Sequence, residues 1–252
     1  MDMTKEDFVY FSDEIKSCNR LFLSDRSNNF LKWIEFISRS AEHILDKGSQ
    51  VYRARVCEKS LEPIEKEGMK PIKNLGSEGR ANAYNINMLY LASTVDTAIA
   101  EVRPSLSEPV TVAEFNIKQD LRIFDFARLS YQDGTHVMVE LFNQDSELGV
   151  GKEDNLYLLR YISQQFSKPY SQRDQRREYL PTQVIAEYIK SIGFDGLCYQ
   201  SQFLSHDGSD YKSGVNYVLF DLDSADPVNC SVWKIEKQII ATKLISGLQR
   251  YR

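Results

Sequence analysis

GRANAYNINMLYLASTVDTAIAEVRP, residues 79–104, passes from a glycine-led loop into an apolar strand and then straight into a short helix. MLYLAS (88–93) is the kind of short apolar run that a buried strand presents. In TVDTAIAEVR (94–103), Val95, Ile99 and Val102 share one helical face. Pro104 stops that helix, because the residue before a proline is pushed out of the helical region. Working outward, QVYRARV (50–56), PVTVAEFNI (109–117), LRIFDF (121–126), GLCYQS (196–201), VNYVLFD (215–221) and VWKIEKQII (232–240) read as further strands, rich in β-branched and aromatic residues. Helices are expected at 4–17, about 26–46, 135–148 and 153–166, with Gly48 ending the second. Another opens at Pro181, whose missing N–H costs nothing there, and ends at Gly193. Mixed strands and helices of this kind make an α+β fold. The division expected is a helical extension at 1–48 and a mixed domain at 49–252.

Composition narrows the function classes. The 252-residue chain is 42% hydrophobic and 27% charged, ordinary globular usage, so wholesale disorder is excluded. Its formal net charge is −5 and its pI about 5.4, the wrong sign for a protein that coats nucleic acid or anionic lipid. An anionic ligand therefore has to be met by a local cluster of arginines. Cys18, Cys57, Cys198 and Cys230 are far apart, and His43, His136 and His206 are the only histidines, so no zinc-binding spacing is present. The start MDMTKEDFVYFSDEIK lacks the plan of a signal peptide, and no apolar run approaches the roughly 20 residues of a membrane span. The expectation is a cytoplasmic protein with reduced thiols, bound to neither membrane nor nucleic acid.

Individual residues give weaker signals. Arg53 lies on a strand that should be half buried, an awkward place for a charge without a partner. Arg80 follows Gly79 at the end of a long loop (57–87), where backbone can approach a ligand closely. For an arginine taken singly, membership of a structural ion pair is the commoner account. Glu101 sits on a short apolar helix, where a carboxylate is either a solvated face or a working group. Ser201 closes an apolar strand and is ordinarily a turn residue; no GxSxG surrounds it, which disfavours a nucleophilic serine. GSEGR is no phosphate-binding P-loop, since it lacks GK[ST]. The basic run QRDQRRE (172–178) has no aromatic platform for stacking bases, and His206 lies in a polar loop.

Taken in order, VYRAR (51–55), GRANAYNINMLYLAS (79–93), TAIAEVRP (97–104), SKPY (167–170), EYLPTQVIAEYIKSIGFDGLCYQS (178–201) and GVNYVLF (214–220) resemble the RES-domain family, named for Arg, Glu and Ser. The resemblance implies twisted sheets similar to those of the ADP-ribosyltransferases, arranged around an NAD+ cleft. It implies an enzyme that cleaves the nicotinamide–ribose bond by phosphorolysis or hydrolysis, often as a bacterial toxin paired with an antitoxin. NAD+ and inorganic phosphate enter as substrates, with no cofactor and no metal. The family triad falls on Arg53, Glu101 and Ser201; Arg80, Asn82 and Tyr90 are implied to bind NAD+. Asn82 is followed by Ala83 where the family often has proline. The helices before Gln50 lie outside the resemblance, and could cover the sheet, receive an inhibitor or form a homodimer face. Two other readings compete: ADP-ribose transfer to a macromolecule, and an inactive binding module.

The chemistry agrees with these roles. Nicotinamide leaves as a neutral molecule and needs no general acid. The site must instead stabilise an oxocarbenium-like ribose, as a carboxylate does in glycoside hydrolysis. That role falls to Glu101, with Arg53 and Arg80 on the pyrophosphate. Ser201 is expected to bond the ribose or hold Glu101, and Tyr90 to stack on a base.

Overall fold

The computed structural model describes residues 3–57, 62–73, 75–130, 153–171, 173–203 and 214–236. Eight strands are present among them: β1 (Glu42–Leu45), β2 (Gln50–Val56), β3 (Leu89–Ala92), β4 (Pro109–Ile117), β5 (Leu121–Asp125), β6 (Gly196–Gln200), β7 (Val215–Leu219) and β8 (Ala225–Lys234). The helices are α1 (Lys5–Ser17), α2 (Asp25–Ile37), α3 (Val95–Val102), α4 (Phe126–Ser130), α5 (Glu153–Ser167), α6 (Gln175–Glu178) and α7 (Leu180–Ser191). The α+β class follows. The helix expected at 135–148 lies outside the described residues.

The strands join in the order β1-β5-β6-β7-β3-β2-β4-β8. Every neighbouring pair is antiparallel except β5–β6. One junction is weak. β2 and β3 meet at a single pair, Tyr52↔Ala92, whereas β2 follows β4 along its whole length, from Gln50↔Asn116 to Val56↔Val110. Past Tyr52 the two strands part, so the sheet opens in its middle.

Two expectations at the ends need correction. The helix drawn to residue 46 stops at Ile37, and Glu42–Leu45 is an edge strand on β5, paired from Glu42↔Phe124 to Leu45↔Leu121. Ile37, Ala41, Ile44 and Leu45 keep a helical spacing, but tertiary pairing overrides that local pattern. Gly48 therefore makes the turn between β1 and β2, at φ 83°, where a side chain would be strained. The final strand begins at Ala225, earlier than the expected 232. ADPVNCS reads as loop because Pro and Asp are poor strand formers. Pro227 is tolerated opposite Phe115, next to a register shift at Glu114/Phe115, because β8 pairs with β4 on one side and proline belongs at edges and bulges.

One face of the sheet is covered by helices. Phe124, Leu197, Tyr199 and Val218 share a core with Phe8, Phe11 and Ile15 of α1, Phe30, Trp33 and Ile34 of α2, and residues of α5 and α7. The first 48 residues thus contribute two helices and an edge strand to shared structure. Burying each such aromatic contributes roughly 1.5–3 kcal/mol. Glu14 ties α1 to α2 by accepting bonds from Ser24 and Ser27. The opposite face packs Leu45, Val51, Met69, Phe115, Ile123 and Leu219. A third, smaller core sits under α3, where Val95, Ile99 and Val102 pack on Ala54, Ala92, Val110 and Val112.

Candidate functional site

Helix α3 is short because both ends are fixed. The Thr94 hydroxyl caps it by accepting from the Thr97 N–H at 3.1 Å, and Arg103 leaves it in the left-handed region at φ 48°. On that turn Ala98, Glu101 and Val102 line a cleft of about 380 Å³, at the place where β2 and β3 separate. Its other walls include Tyr52, Arg53, Tyr90, Asn216, Tyr199 and Tyr179, with residues 77–80 and Asn82 from the long loop. A volume of this size is in the range of small-molecule sites.

Glu101 is held from the sheet. Its Oε1 accepts from Ser201 Oγ at 2.7 Å and from Asn216 Nδ2 at 2.6 Å. Its Oε2 lies 3.6 Å from Arg80 Nη1. Ser201 is itself buried behind the carboxylate, at 4% exposure, and its hydroxyl also accepts from the Phe203 N–H at 3.2 Å. Of the two roles open to it, holding Glu101 fits this geometry, since the Ser201 hydroxyl donates to the carboxylate and lies buried behind it.

The arginines are finished differently. Among the described residues no ion pair engages Arg53, and its Nη1 is buried without a hydrogen-bond partner. Burial, with Arg55 nearby, pushes its guanidinium down to about 10. That corresponds to a penalty on the order of 3 kcal/mol on the charged form. Arg80 also leaves its Nε unbonded, while Nη2 reaches the Ser167 carbonyl at 3.5 Å and the guanidinium stands 5.9 Å over the Tyr179 ring. Burial pulls Arg80 down, but Tyr199, Tyr179 and Glu101 outweigh it and hold the charge.

The loop that carries Arg80 is built on Asn82 and Tyr90. Asn82 Nδ2 donates to the carbonyls of Ser77, Ala83 and Ile86, and Oδ1 accepts from the Tyr90 hydroxyl at 2.7 Å. Tyr90 in turn accepts from the Ala81 N–H at 3.1 Å. Both side chains border the cleft, yet their polar atoms are engaged with the loop, so they shape the site more than they offer bonds to a ligand. Burial raises the Tyr90 hydroxyl, and raises that of Tyr199 to about 12, so both stay protonated near neutral pH. From α7, Thr182 Oγ1 donates to the Arg80 carbonyl at 2.6 Å, and Gln183 Nε2 donates to those of Gly79 and Asn82 at 2.9 and 3.0 Å. Gly79 has no room for a side chain: a Cβ there would stand 2.5 Å from both Asn82 Oδ1 and the Tyr90 hydroxyl.

All six residues singled out from sequence, Arg53, Arg80, Asn82, Tyr90, Glu101 and Ser201, therefore converge on one place. The RES domain family matches residues 50–240. The chain belongs to the RES-domain family. The match begins at the first residue of β2, so α1, α2 and β1 precede it. No curated protein sequence matches this RES-domain chain. A solved structure similar to it is the M. tuberculosis MbcT–MbcA toxin–antitoxin complex, at 12% identity and a TM-score of 0.42, covering 80% of this chain and 91% of that one.

Reading the sequence alone missed Asn216, Tyr199, Tyr179, Thr182 and Gln183. The signal for Asn216 was present: an amide at the second position of VNYVL, in a strand buried along its whole length. Among the described residues, no group of three or more His, Cys, Asp and Glu is arranged to hold a metal ion. No helix among them is long and apolar enough to cross a membrane.

Proposed function

We propose that this RES-domain protein degrades NAD+ by cleaving the bond between nicotinamide and ribose. The observation that carries this reading is a single cleft joining a carboxylate held by two donors to two buried guanidinium groups with unbonded nitrogens. Arg80 has Glu101 beside it, but Arg53 has no ion pair among the described residues, and a charge so placed is costly unless a partner arrives. A pyrophosphate supplies that partner, and Arg forks match its oxygens.

With the pyrophosphate on Arg53 and Arg80, the nicotinamide ribose lies against Glu101. The C1″–N bond breaks and its electron pair leaves with nicotinamide, which departs neutral. Positive charge builds on the ribose C1″ and ring oxygen, opposite the Glu101 carboxylate. Attack by inorganic phosphate gives ADP-ribose 1″-phosphate; attack by water gives ADP-ribose and releases a proton. Within this reading the chain acts in the cytoplasm as a bacterial toxin, with an antitoxin as its protein partner and a homodimer as its candidate self-assembly.

The test is product identification with purified protein, NAD+, and phosphate present or absent. ADP-ribose 1″-phosphate or ADP-ribose, with stoichiometric nicotinamide, supports the proposal. Label fixed to a macromolecule would identify an ADP-ribosyltransferase instead. NAD+ left intact at every phosphate concentration would identify a binding module.

A further inference from the structure

We infer that Asn216 is a positioning residue of the same reaction, holding the Glu101 carboxylate so that one defined oxygen faces the substrate. The inference rests on the NAD+-cleaving reading above. Asn216 lies on β7 between Tyr199 of β6 and Ala92 of β3, and is 5% exposed. A primary amide buried in a central strand costs free energy unless its donors are used. Its Nδ2 is used on Glu101 Oε1, at 2.6 Å.

Ser201 reaches the same oxygen from the end of β6, at 2.7 Å. The backbone fixes these two donors relative to each other, since the Ser201 N–H donates to the Gly214 carbonyl at 2.7 Å, just before β7. Both bonds therefore come from the rigid sheet to a side chain on a two-turn helix. A single donor leaves a carboxylate free to pivot about that bond; a second donor on the same oxygen restricts the plane. Oε2 is left as the oxygen turned to Arg80 and the cleft. Stabilisation of charge on ribose depends on a carboxylate already in place when that charge develops. An aspartate at 216 would present a like charge within bonding distance of Glu101 and offer no donor while ionised.

The experiment uses the full chain carrying Asn216→Ala or the near-isosteric Asn216→Asp. With both variants folded by thermal melt, Asn216→Ala should lower kcat about 30-fold while KM for NAD+ stays within about 3-fold. Asn216→Asp should lose more at neutral pH and recover part of its activity on acidification, because the protonated carboxyl donates again. Among the described residues, the titratable groups that share the cleft with position 216 are Glu101 of α3, Arg80 and Glu78 of the long loop, Tyr199 of β6, Tyr52 and Arg53 of β2, Tyr90 of β3 and Tyr179. A kcat within twofold of wild type in Asn216→Ala overturns the proposal. A second arm needs no turnover: the carbon-13 resonance of the Glu101 carboxyl, followed by NMR at one fixed pH, should move in Asn216→Ala as the bond to Oε1 is lost. An unmoved resonance also overturns the proposal. If wild type leaves NAD+ intact while the resonance still moves, the NAD+ reading fails and the coupling of Asn216 to Glu101 stands.

Discussion

The two sides of the cleft are completed to different degrees. On the wall that holds Glu101, the Ser201 hydroxyl and the Asn216 amide both donate to Glu101 Oε1, at 2.7 and 2.6 Å. On the side made by β2 and the 76–87 loop, Arg53 Nη1 and Arg80 Nε are buried with no hydrogen bond. Native proteins leave few buried polar atoms unpaired, so two in one cleft call for an explanation. In the proposed reading the first side holds a group still and the second receives an anion, so that positioning and binding are divided between two walls of one cleft.

That division can be broken one residue at a time. Glu101→Gln keeps both donors' geometry but removes the charge, and kcat should fall by about 1000-fold or more with KM little changed. Arg53→Met should raise KM by about 100-fold, the loss of a charge-assisted pair to phosphate, with kcat at saturation nearly intact. The same variant should melt no lower than wild type, because an unpaired buried charge is gone. The sign of the linkage agrees. Arg53 falls to about 10 in the folded chain, below its ordinary 12.5, so the penalty is fully present at neutral pH. It is relieved only as pH rises through about 10 toward 12.5. Pyrophosphate should therefore raise the melting temperature of wild type by more than that of Arg53→Met, in which Arg80 alone remains to receive it.

Smaller effects sharpen the same contrast. Ser201→Ala should lower kcat about 30-fold and spare KM, because Asn216 still holds Oε1. A nucleophilic serine would instead lose turnover altogether. Gly79→Ala forces Asn82 and Tyr90 apart and should cost about 1–3 kcal/mol in denaturant unfolding, with KM raised about tenfold through Arg80. Unchanged KM there would separate the loop's packing from the binding of substrate.

Much of this was legible before any coordinates. The apolar runs that became β3, β4, β5, β6 and β7 carry their own signal, and α3 is marked by its spacing and by Pro104. The triad and Arg80 are legible because their motifs are specific when taken in order. What stayed hidden depends on tertiary pairing. EHIL at 42–45 is a strand only because β5 lies beside it, and Ala225–Ser231 is one only because β4 does. The part played by Asn82 was hidden for a similar reason: an asparagine in a loop shows no sign that three carbonyls will converge on its amide. Asn216 was within reach, as an amide in an otherwise apolar strand, but its partner is 115 residues away in sequence.

The central claim is that the arginines bind and Glu101 acts. It is tested most directly by measuring equilibrium NAD+ binding and nicotinamide release side by side for Glu101→Gln and Arg53→Met. The account predicts that Glu101→Gln binds NAD+ and releases no nicotinamide, while Arg53→Met binds poorly yet releases it at saturation. Nicotinamide release by Glu101→Gln at the wild-type rate, or undiminished NAD+ binding by Arg53→Met, would contradict it.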